Sequence, residues 1–145
     1  MPDVWLNLAL AKTKLFIWFA MLDKLPTRDH MFYIELCPLI MNKCVFYGHF
    51  GETSYHLLIL CIKSWRLWTF FCNWWGVEAV MPSSLLLWFQ QWKVLAHGYE
   101  QRRFWICLFY AISWTLWSHR NEIIFEHVSF SSYRLQKLVF FKVAS

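Results

Sequence analysis

Glycine, proline and charge are all scarce in this 145-residue chain. It has four Gly and four Pro, and 16% of its residues are charged, against 59% hydrophobic residues and eleven Trp. That balance excludes an intrinsically disordered segment, because such a chain has abundant apolar surface to bury. Internal repeats and low-complexity tracts are also missing, and the length is that of one domain.

The chain also lacks a long apolar run. FWICLFYAISWTLW, Phe104 to Trp117, is bracketed by Arg102, Arg103 and Arg120 and contains Ser113 and Thr115. A bilayer span needs about 20 apolar residues, and runs of about 10–14 are more often buried helices. LFIWFAML, Leu15 to Leu22, is shorter still and lies between Lys14 and Asp23. Both read as core helices, with a membrane or interfacial role as the lesser option. The opening MPDVWLNLAL has an acid where a secretory leader is basic, so no signal peptide is expected.

Catalytic signatures are missing too. No G-x-S-x-G, glycine-rich phosphate loop or H-E-x-x-H occurs. Asp3, Asp23 and Asp29 are scattered, and His97, His119 and His127 have no nucleophile in a recognisable arrangement. The sequence predicts no enzyme. Its five cysteines are an odd number, and without a secretory leader a disulfide framework is not expected, so reduced thiols available to metal fit better. A net charge of +5 favours nucleic acid or anionic lipid without naming a partner, and a solvated cationic face explains it equally well.

What is present is helical periodicity. Leu15, Trp18, Phe19 and Leu22 recur at i, i+3, i+4 and i+7, predicting a first helix with that stripe on the core. Pro26 biases Leu25 away from helical geometry. Thr27 caps a second helix with Asp29 in its first turn, running to Tyr33 or Leu36 before Pro38. From His56 the spacing is helical again through Leu57, Leu60, Trp65, Trp68, Phe71 and Trp75, with Asn73 and Gly76 as its stop. Ser83 or Ser84 caps a helix over Leu85 to Val94, and Gly98 breaks it. A long helix over about Gln101 to Phe125 carries Trp105, Leu108, Ile112 and Trp117 near one face, and Leu135, Leu138 and Val139 predict a last helix. The fold class is mostly α: a small single helical domain with one irregular, knuckle-like loop.

That loop is CVFYGHFGETSYHLLILC, Cys44 to Cys61, which Gly48 and Gly51 mark as turn-rich. Zinc takes thiolate and imidazole ligands, and structural sites close four positions. Cys44, His56 and Cys61 supply three. Tyr47 stands where a second Cys of a C-x2-C pair belongs, and a phenol with a pKa of about 10 is a poor substitute. His49, Cys37 or a water can complete the set. Buried, metal-free thiols are the equally open alternative, since free Cys is among the most buried residue types. Cys72 and Cys107 lie in apolar helical runs and read as core. Trp65, Trp68, Trp74 and Trp75 beside Lys63 and Arg66 could stack on unpaired bases, but their helical spacing favours a core. Lys12, Lys14, Lys24, Arg28 and Lys43 could touch phosphates near the loop.

The order of these features resembles one family. Lys14, Phe16 and Trp18, then Leu25 to Thr27 with Asp29, then Cys44, Glu52, Thr53, His56, Leu57 and Cys61, then Trp114, Trp117, Arg120, Asn121 and Phe125, are similar to the zinc-binding domain downstream of the reverse transcriptase in plant LINE-type (non-LTR) retrotransposons. The resemblance spans Ala11 to Glu126, leaving 127–145 as a C-terminal helical tail. It implies a non-catalytic accessory domain with Zn²⁺ on Cys44, His56 and Cys61 and with His49 as the fourth candidate, weakened or lost because Tyr47 replaces a ligand. It further implies RNA or DNA as partner, for which the basic Lys12, Lys14, Arg28 and Lys43 are the candidate contacts by their charge, together with contact with other parts of a retrotransposon polyprotein and a nuclear or cytoplasmic setting. A degenerate copy of the domain fits the Tyr47 departure. A metal-free helical interaction domain is the rival expectation, and a membrane partner is the least expected.

Overall fold

The computed structural model describes residues 10–35, 43–46, 51–95 and 99–144. Among them the chain is helical and contains no strand. The α-helices are α1 (Leu10–Met21), α2 (Arg28–Tyr33), α3 (Ile62–Trp75), α4 (Leu85–Val94), α5 (Tyr99–Glu126) and α6 (Ser132–Ala144), with one π-helical turn over His56–Leu60. No described helix is long and apolar enough to cross a membrane.

Local chemistry sets the boundaries. Thr27 Oγ1 accepts the His30 N–H (3.2 Å), capping α2. Ser84 Oγ accepts the Leu87 N–H (3.1 Å) at the start of α4. Gly76 ends α3 in the left-handed region, at φ 83°, where a glycine carries no Cβ penalty.

The long helix α5 is the centre of the fold, and α1, α3, α4, α6 and the π turn all pack on it. Trp105, Leu108, Ile112 and Trp117 are buried as their spacing predicts, and Leu135, Val139 and Val143 bring α6 into the same core. At the α4–α5 crossing the Trp92 and Trp105 rings stack in parallel, 3.8 Å apart. Each indole N–H donates to the other residue's carbonyl, at 2.6 and 2.7 Å. Trp68, Trp88 and Phe109 complete this aromatic cluster, and Trp68 Nε1 donates to the Leu58 carbonyl (2.6 Å), tying α3 to the π turn. Trp68 is therefore core, whereas Trp74 stays half-exposed and Trp65 and Trp75 are partly covered.

Two expectations are corrected. On α1 and just past its end the predicted stripe faces outward: Leu15, Trp18, Phe19 and Leu22 are 56, 60, 42 and 49% exposed, while Thr13, Phe16, Ile17 and Ala20 are buried. Both sets follow the same i, i+3, i+4, i+7 rule, and the smaller Thr13 and Ala20 allow the closer approach to the rest of the fold. Phe16 meets Trp114 and Trp117 of α5, with ring centroids 5.3 and 5.9 Å away. The helix expected from His56 to Trp75 is also interrupted. Cys61 leaves helical geometry at ψ 130°, separating the π turn from α3 and leaving Leu60 exposed rather than on the core stripe.

Candidate metal centre

The π turn brings the metal candidates together. Residues five apart on an α-helix point about 140° away from each other. Here the Cys61 N–H reaches the His56 carbonyl (2.7 Å), so the widened turn returns Cys61 to the side of His56. Thr53 Oγ1 accepts the His56 N–H (3.0 Å) and caps the same turn. Cys44 approaches from segment 43–46. Ligand atoms of Cys44, His56 and Cys61 all lie within 4.8 Å of one another.

The electrostatics suit a cation. Cys61 is drawn down to about 4, mainly because the Cys44 thiol donates to it; burial opposes this, and His56 and the backbone N–H groups of Lys63 and Ser64 add to it. A thiolate at the start of a helix is also favoured by the helix dipole. Cys72 shows the contrast, its thiol pushed up to about 12 by burial alone. Cys107 is raised by burial as well, so both behave as core thiols.

The donor set fits zinc. Nε2 of His56 is buried without a hydrogen-bond partner, an expensive state for an imidazole nitrogen unless something else uses its lone pair. Two sulfurs at about 2.3 Å from a tetrahedral ion sit roughly 3.8 Å apart, so atoms already within 4.8 Å need only a small closure. Bound zinc would cross-link segment 43–46 to the π turn. His49, Tyr47 and Cys37 lie outside the described residues.

The basic candidates fall in two neighbourhoods. Lys12 and Lys14 are exposed on α1, and Lys14 is near enough to Cys107 to favour its thiolate. Arg28 opens α2, and its Nη1 donates to the Lys43 carbonyl (3.3 Å), beside Cys44.

Sequence reasoning assigned no role to a buried ion pair next to the metal candidates. Glu52 is fully buried and its Oε1 lies 2.8 Å from Arg120 Nη2 of α5. Arg120 also donates to the Pro26 carbonyl (3.3 Å) and to Asn121 Oδ1 (3.0 Å), and its guanidinium lies 4.9 Å from the Trp117 ring centroid. Phrases far apart in the chain thus meet at one point, and only their shared presence in the resemblance signalled it.

Residues 1–68 match the family described as zinc-binding in reverse transcriptase. This half of the chain is similar to that zinc-binding domain, and the matched part contains Cys44, Glu52, His56 and Cys61 but ends before Arg120 and Asn121. The searches of the curated proteins and of the solved structures found no match.

Proposed function

We propose that the chain is a non-catalytic, zinc-binding accessory domain derived from a plant LINE-type retrotransposon reverse transcriptase, and that it helps its parent protein engage RNA or DNA. The observation that carries this reading is the convergence of ligand atoms of Cys44, His56 and Cys61 within 4.8 Å of one another, with Nε2 of His56 buried and lacking a hydrogen-bond partner. Its role is mechanical: an ion held there fixes a loop beside Arg28 and Lys43, whose contacts to phosphate would be sensitive to salt and blind to sequence. His49 is the proposed fourth ligand.

Elemental analysis of zinc on the purified chain and on Tyr47→Cys tests the reading. Near one zinc per chain in the parent supports a working site, and His49→Ala should then lower it. Zinc in Tyr47→Cys alone marks a degenerate copy. Zinc in neither overturns the reading.

A metal-free interaction domain is the second reading, favoured by the outward Leu15, Trp18 and Phe19 on α1 with Leu22 just beyond it, an apolar surface of the kind that marks association sites.

A further inference from the structure

We infer that Glu52 is a positioning residue for the metal centre, and that Arg120, 68 residues away on α5, fixes its aim. The inference rests on the zinc reading and goes beyond it, since neither side chain is a candidate ligand.

The argument begins with what the carboxylate holds. Oε1 accepts the Arg28 N–H (2.8 Å) at the start of α2, and Oε2 accepts the Val45 N–H (3.1 Å), one residue beyond Cys44. The Glu52 carbonyl accepts the Asp29 N–H (3.2 Å). In the other direction Glu52 leads directly to Thr53, whose hydroxyl caps the turn carrying His56 and Cys61. The segments that carry Cys44 on one side and His56 with Cys61 on the other therefore meet at one residue, the first held by its carboxylate and the second joined to it through the backbone and Thr53.

Arg120 keeps that side chain in place. Its Nη2 meets Oε1 at 2.8 Å and its Nε faces Oε2 at 3.5 Å, a two-point approach that a lysine cannot reproduce. Its remaining contacts to Pro26, Asn121 and Trp117 leave the guanidinium little freedom to turn.

A metal on Cys44, His56 and Cys61 would close the same two segments that Glu52 closes. With the carboxylate in place those segments are already arranged, so binding spends little on ordering them. Without it, the metal must supply the ordering, and affinity falls. Outer groups that orient metal ligands typically change affinity by about 10–100-fold when removed.

The test is a Co²⁺ titration, with Zn²⁺ competition, of the parent, Glu52→Gln, Arg120→Lys and a core control, Trp92→Phe. Each is run well below its unfolding temperature with helix content checked by circular dichroism, and the series is repeated on the Tyr47→Cys background. Expected is a roughly 10–100-fold weaker Co²⁺ affinity for Glu52→Gln, with weaker, broadened ligand-field bands. Arg120→Lys should lie between it and the parent, and Trp92→Phe should stay within about two-fold of the parent, because the lost indole N–H serves the Trp105 carbonyl at the α4–α5 crossing and not a segment that carries the ligands. If Glu52→Gln keeps the parent's affinity and spectrum while folded, Glu52 only buttresses the core and the inference falls. It falls equally if Trp92→Phe weakens binding as much. Absence of Co²⁺ binding by the parent and by Tyr47→Cys would instead remove the zinc reading, and the inference with it.

Discussion

Two buried regions of this molecule are held by opposite means. At the α4–α5 crossing, Trp92 and Trp105 stack over one another inside a cluster of Trp68, Trp88 and Phe109, and contact area does most of the holding. At the metal corner, Glu52 and Arg120 are equally buried, but they are held by directed polar contacts that depend on every partner being present. An apolar contact that loses a few atoms degrades in proportion to what was lost. A buried ion pair that loses one member leaves a charge with nowhere to go. Packing thus carries most of the frame, and the buried ion pair sits where the metal candidates converge.

The contrast can be broken most severely at Arg120. Arg120→Leu should destabilise the fold by about 3–5 kcal/mol in urea unfolding, because it breaks a buried ion pair by removing one member. The tryptophan interlock should respond more gently. Trp92→Phe and Trp105→Phe should each cost about 1–3 kcal/mol, since each trims the stacked ring area and also removes one donor from a buried carbonyl. The double variant should cost less than the sum, because the stacked pair acts as a unit; a double-mutant cycle measures the difference.

The smallest effect concerns acid. Burial holds the His119 imidazole below the ordinary histidine range, Arg134 adds to this, and Glu122 opposes it. His119 Nε2 accepts the Ser131 N–H (3.2 Å), so the neutral ring is the one the fold uses. With the folded value below the unfolded one, the unfolded chain takes up the proton first. Stability is therefore full above about pH 6.5 and declines as the pH falls through the folded value. The urea midpoint, followed in chelator from neutral to mildly acidic pH, should drop less in His119→Gln than in the parent.

Much of the frame was legible in the sequence, because caps and periodicity are local signals. Thr27, Ser84 and Gly76 end or begin helices where their chemistry predicts, and the Trp105–Trp117 face is buried as its spacing predicts. The three metal candidates were legible by residue type and spacing. The direction of α1 was not, because Thr13, Phe16, Ile17 and Ala20 have the same spacing as Leu15, Trp18, Phe19 and Leu22. Periodicity cannot rank two stripes on a helix that is apolar nearly all round; only the fit against α5 does. Nor could local spacing show that Glu52 meets Arg120, or that the step from His56 to Cys61 is made by a π turn and not a regular helix.

The two clasps also differ in how much chain each must gather. The tryptophan interlock joins residues 13 apart, and the Glu52–Arg120 pair joins residues 68 apart. Loop-closure entropy makes the longer closure costlier by about 1.5 kcal/mol before any contact repays it. During folding the α4–α5 hairpin is therefore expected to form early, and the corner to close late, around helices already packed. A pocket for an ion would then be the last thing this chain makes, and the first thing it gives up when it begins to unfold.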